Sequence, residues 1–164
     1  MRTPDHFSRT QIILHWAVAA LVACQFLFSD DIEDAWREFA RGRYDADDFS
    51  AGAGAHIAGG VLILLLVLWR LALRYRYGAP APDAAEPPAL QLLARLAHFA
   101  LYGLLVILPL SGLAGWVGEQ QAGIRVHLIA KTVLLPLIGL HFVGALVHHF
   151  WWRTDVLKRM LGMA

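Results

Sequence analysis

Eight histidines are distributed along the chain, and seven of them, His15, His56, His98, His127, His141, His148 and His149, fall inside or at the edge of long apolar blocks. His6 alone precedes the first block. An ionisable group within an apolar span is costly, so each of the seven is a functional candidate by default. Neutral imidazole donates a lone pair to a transition metal and is a common axial ligand of haem iron. The competing use of such residues is as polar glue, bonded to backbone or to one another. A metal- or proton-transporting path would call for carboxylates as well, and none of the four apolar blocks contains Asp or Glu.

Spacing separates the candidates into levels. His15 lies early in the first block and His141 late in the fourth, which places both toward the end of the bundle that carries the termini. His56 lies early in the second block and His127 at the start of the fourth, toward the opposite end. His127 and His141 are 14 residues apart; on an α-helix they point within about 40° of each other and are separated by about 21 Å along the axis. One helix face therefore offers two imidazoles, each able to meet a partner from another helix. The expectation is two haem b groups, one held by His56 and His127 and one by His15 and His141, forming an electron path across the bilayer. The single cysteine, Cys24, leaves no Cys-x-x-Cys-His motif for covalent haem attachment.

The elements that must position these residues are legible in the hydropathy. Of 164 residues 58% are hydrophobic and only 16% charged, with a mean hydropathy of +0.52. The apolar excess is gathered into four blocks, about 11–28, 53–73, 92–117 and 126–150, each near the roughly 20 residues that a membrane span requires. The expected fold is all-α, a single domain over 1–164 built as a four-helix bundle in the lipid bilayer, with nothing that points to nucleic acid. With the N-terminus inside, Arg2, Arg9, Arg70, Arg74, Arg76, Arg95, Arg153, Lys158 and Arg159 are internal and only Arg37, Arg41, Arg43 and Arg125 external. That bias predicts both termini in the cytoplasm. The segment before the first span, with Arg2, Asp5, His6 and Arg9, has no small-residue cleavage site and reads as the lead-in to an uncleaved helix.

The first outer loop, about 29–52, is acidic, with Asp30, Asp31, Glu33, Asp34, Glu38, Asp45, Asp47 and Asp48; Ile32, Ala35, Trp36, Phe39 and Ala40 recur within it at helical spacing, which predicts a short interfacial helix. The inner link 77–88, with Pro80, Pro82, Pro87 and Pro88, reads as an extended tether, and the second outer loop as residues 118–125. Trp69, Trp151 and Trp152 suit an aromatic belt, and Pro109 and Pro136 suit kinks that neighbouring helices tolerate.

The stretches Arg9–Trp16 (RTQIILHW), Ala55–Gly60 (AHIAGG), Trp69–Arg74 (WRLALR), Leu96–Gly112 (LAHFALYGLLVILPLSG) and Ile138–Trp151 (IGLHFVGALVHHFW) resemble the bacterial cytochrome b561 family of small di-haem membrane proteins. The resemblance covers all four spans and departs from the family in the outer loops and at residues 123–126. It implies haem ligation by the same four histidines, a bacterial inner-membrane location, and a superoxide:ubiquinone oxidoreductase activity; the short chain and short tails lead to the expectation that no obligatory protein partner is needed. It also implies that His98 and His148 lie near a ubiquinone site rather than on iron. Chemistry agrees with such a role, since quinone reduction consumes two protons as well as two electrons and histidine exchanges protons near neutral pH. Arg125 and Lys131 flank His127, and Lys131, four residues on, shares its face. A positive collar there would hold haem propionates or steer superoxide; snorkelling of Lys131 to the interface is the plainer alternative. The other function class is an electron conduit and anchor for a larger hydrogenase or dehydrogenase complex.

Overall fold

A computed structural model of the chain describes residues 4, 6–41, 43, 50–81 and 86–163. Arg2, Asp5, Asp45, Asp47, Asp48, Pro82 and the side chain of Ala40 lie outside the described residues. Among the described residues six helices follow in order: α1 Arg9–Leu27, α2 Asp30–Ala40, α3 Ala51–Tyr77, α4 Pro88–Trp116, α5 Gln121–Phe150 and α6 Val156–Leu161. Four of them, α1, α3, α4 and α5, are long and apolar enough to cross a membrane, at 19, 27, 29 and 30 residues. At 1.5 Å per residue the shortest reaches about 28 Å, close to the roughly 30 Å of a hydrocarbon core.

Local chemistry sets the helix ends. Ser8 caps α1 through a reciprocal box: its hydroxyl accepts from Gln11 N (3.2 Å) while the Gln11 side chain accepts from Ser8 N (2.9 Å). Ser50 caps α3 by accepting from Ala53 N (3.0 Å). Pro88 opens α4 at its first turn, where a missing N–H costs nothing. The turn between α4 and α5 is shorter than expected, because α5 already begins at Gln121. A Cβ added to Gly123 would lie 2.7 Å from Gly115 N and 2.9 Å from Ser111 O. Only glycine lets the first turn of α5 press this closely on α4, so residues expected as loop are helical.

α1, α3, α4 and α5 run alternately up and down, so the start of α1 and the end of α5 lie at one end, here called proximal. At that end Gln11 Nε2 donates to Gly78 O (3.1 Å), and Trp16 Nε1 donates to Met160 O (2.9 Å), which pins α6 against the start of α1. The other end, distal, carries α2 and the α4–α5 turn. Val18, Val22, Ile63, Val67 and Leu134 form the buried core, contributed by α1, α3 and α5. Large apolar side chains on the outer faces stay uncovered, among them Phe99 (79% exposed) and Phe142 (61%). Lipid satisfies such a surface where water would not.

Candidate functional site

The bundle sets histidines against one another at two levels. Distally, the rings of His56 on α3 and His127 on α5 stand edge-on to each other, with centroids 6.5 Å apart and planes inclined by 61°. Proximally, His15 on α1 and His141 on α5 stand 6.2 Å apart. Two imidazoles that share one metal ion from opposite sides, each through a bond of roughly 2.0 Å, bring their centroids to about 6 Å. Both pairs sit at that separation without touching.

The distal pair opens on a cavity of about 530 Å³ lined chiefly by apolar side chains, with Gly60 and Gly112 in its wall and Gln25, Glu33, Arg37 and Lys131 at its polar margin. His127 Nδ1 donates to Leu108 O at 2.8 Å. A carbonyl only accepts, so Nδ1 carries the proton and Nε2 keeps the free lone pair that a metal ligand needs. A Cβ at Gly112 would come within 3.1 Å of that Nδ1, so the glycine gives the imidazole its room. His56 is fixed differently: Gln25 Nε2 donates to its backbone carbonyl (2.8 Å), while its buried Nδ1 has no hydrogen-bond partner among the described residues. An unpartnered imidazole beside a large apolar slot fits a flat, metal-centred guest such as haem b.

Helix α2 closes over this slot. Trp36 stacks on Phe39 (5.2 Å), and both lie against Trp116 at the end of α4 (6.3 and 5.9 Å). Lys131 Nζ donates to Glu33 Oε1 at 2.6 Å, joining α5 to α2. The ammonium holds the Glu33 carboxyl below its usual range. Of the expected positive collar, Lys131 thus lines the cavity but is matched by a carboxylate, and Arg125 is exposed and does not line it. Arg37, which sequence reasoning did not single out, does.

The proximal level is more crowded. His98 on α4 brings a third ring to 5.1 Å from His141, edge to face, with its Nδ1 donating to Ala94 O at 2.6 Å. Arg70 on α3 spans the same end, donating from Nε to Tyr102 Oη (2.8 Å) and from a terminal nitrogen to Gln11 O (3.3 Å). His148 is not beside His98. It lies against Trp152 (4.8 Å), Thr154 and Glu86. The two expected quinone residues therefore occupy separate environments at one end of the bundle. Arg70 was legible in sequence only as one of the internal positive charges, and Glu86 only as an acid in a proline-rich link.

Comparison with known proteins follows the same lines. The family described as prokaryotic cytochrome b561 matches residues 6–163. Cytochrome b562 of Cereibacter sphaeroides is 30% identical over 155 residues, covering 94% of each chain. Cytochrome b561 homolog 1 of Escherichia coli is 28% identical over 179 residues, covering 96% of this chain and 97% of that one. A probable superoxide oxidase of Yersinia pestis is 25% identical over 177 residues, covering 94% of this chain and 95% of that one.

Proposed function

The chain belongs to the prokaryotic cytochrome b561 family of haem-containing, electron-transferring membrane proteins, and we propose that it carries electrons from superoxide at its distal end to ubiquinone at its proximal end. The distal end is then periplasmic, and both termini lie on the cytoplasmic side of the bacterial inner membrane, in keeping with the arginine-rich proximal segments. The chain acts as one unit with two non-covalent haem b groups, one held by His56 and His127 and the other by His15 and His141. Bound haem b supplies a one-electron carrier at each level. In balance, two superoxide ions give up one electron each and become dioxygen, and ubiquinone takes two electrons and two protons to become ubiquinol.

The observation that carries this reading is the pair of neighbouring imidazoles at each end, 6.5 and 6.2 Å between centroids. The protein's own side chains do the remaining work. Leu108 O fixes the His127 tautomer, Gly60 and Gly112 keep the distal slot open, and the Trp36, Phe39 and Trp116 cluster shields it from water. Arg125 and Lys131 supply positive charge near His127 for steering an anion, with Glu33 cancelling part of the Lys131 field. His148, and His98 beside His141, are the proton-exchanging groups near the quinone.

Purified protein tests the proposal directly. A pyridine haemochrome assay is expected to give two haem b per chain. A burst of superoxide is expected to reduce the protein quickly, and added ubiquinone to reoxidise it with no partner subunit present. A protein with both haems that ignores superoxide, yet accepts electrons from a co-purifying periplasmic partner, would instead be the conduit of a larger complex.

A further inference from the structure

The link between α3 and α4 carries a carboxylate that the proposed reaction has not used. The Glu86 side chain is only 6% exposed and lies against His148, itself 13% exposed, with Oε1 3.3 Å from Nε2. That oxygen is buried and has no aligned hydrogen bond among the described residues. Burying a carboxylate without firm partners is costly, so its retention asks for a use.

Both ring nitrogens of His148 are engaged: Nδ1 stands 3.1 Å from Thr154 Oγ1, and Nε2 faces Glu86. The Thr154 hydroxyl also reaches His148 O (3.3 Å), and as a rotor it can donate to Nδ1 or accept from it, so the ring hydrogen can sit on either nitrogen and Nε2 can exchange a proton with Glu86. Gln91 Nε2 holds the Glu86 backbone carbonyl (3.0 Å) and fixes the link at this point.

We propose that Glu86 is a proton-relay residue that acts through His148 in quinone reduction. Glu86 passes a proton to His148 Nε2; the ring, then protonated at both nitrogens, releases its Nδ1 proton to a quinone oxygen; exchange of the remaining hydrogen from Nε2 to Nδ1 restores the starting tautomer; and Glu86 regains a proton from water before the next delivery. Two such deliveries accompany the two electrons that the reduced cytochrome supplies, which completes ubiquinol. Glu86 does not touch the quinone and acts by positioning and recharging His148. The inference rests on the quinone role proposed above for the proximal end.

The test uses the full-length protein with both haems and the short-chain quinone ubiquinone-1. Reoxidation of the prereduced protein is followed by stopped flow, and binding of ubiquinone-1 by calorimetry. Glu86→Gln keeps shape and polarity but cannot pass a proton. It is expected to lower kcat about tenfold or more while KM, calorimetric affinity and both haem spectra stay at parental values. Glu86→Asp, still an acid but shorter, is expected to fall between the two. Should Glu86→Gln fail to hold both haems, Glu86→Asp must show the same split of lowered kcat at parental KM. Parental kcat in Glu86→Gln, or a loss shared by KM and affinity, overturns the relay. His148→Gln separates the two levels of the argument. If it slows quinol formation and Glu86→Gln does not, the relay fails and the quinone role stands; if neither variant slows it, both fail.

Discussion

The two ends of the bundle solve different problems with the same residue type. Distally, two histidines face an open apolar slot, one with its tautomer set by Leu108 O and the other with an Nδ1 that is unpartnered among the described residues. Charge at that end is paired at the rim, Lys131 to Glu33. Proximally, His15, His98 and His141 crowd together, Arg70 ties three helices, and His148 meets a buried acid and a hydroxyl. In the proposed function the distal end receives a flat guest and a small one-electron donor, and the proximal end adds the proton-exchanging groups that a two-electron, two-proton acceptor requires. On that proposal imidazole serves as a ligand where its lone pair faces the slot, and as a proton carrier where it faces a carboxylate.

The largest test of this contrast is removal of one ligand from each level. His127→Ala is expected to lose the distal haem and keep the proximal one, and His141→Ala the reverse, each leaving about half the pyridine haemochrome signal. Reduced-minus-oxidised spectra distinguish the two. If His98→Ala rather than His15→Ala abolishes the proximal signal, the ring at 5.1 Å from His141, and not the ring at 6.2 Å, completes that site.

A smaller effect is expected when the slot is narrowed without touching a ligand. Gly112→Val pushes into the His127 ring near the nitrogen bonded to Leu108 O. Loss of such a supporting bond typically costs about 10–100-fold in affinity at a metal site. Haem titration of stripped protein is expected to show that loss at the distal level only. Equal weakening of both levels would mean that the bundle as a whole had loosened.

The smallest effect concerns the distal rim. Glu33→Gln frees the Lys131 charge and is expected to raise the rate of reduction by superoxide by a few-fold at low salt, the gain fading as ionic strength rises and the Debye length shortens to about 8 Å. Lys131→Gln is expected to lower it. The pH dependence follows from the lowered Glu33 pKa. The ion pair stabilises the docking of α2 fully above the ordinary glutamate range and loses that contribution as pH falls through the lowered value. Tryptophan emission from Trp36 and Trp116 reports that undocking, and an acid transition unchanged in Glu33→Gln would assign it to another group.

The linear chain determined the spans and the histidine levels, because both rest on local quantities. Twenty-residue apolar blocks must be helices in lipid, and helical rise and twist then fix the depth and phase of His127 and His141. The amphipathic α2 was legible for the same reason, from Ile32, Trp36 and Phe39. The contacts that separate the two ends join residues far apart in sequence: Lys131 and Glu33 are 98 positions apart, and Gln11 and Gly78 are 67 apart. No periodicity announces such pairs. α6 was hidden because a six-residue helix has too few turns to show a pattern. The early start of α5 followed from how closely Gly123 lets it approach α4. Residue types and spacing determined which imidazoles could share a level, whereas only the packing of α2, α4 and the Glu86 link decided which of them face a slot, a carbonyl or an acid. The lone pair of a histidine is directed by its neighbours in space, and those neighbours come from other helices.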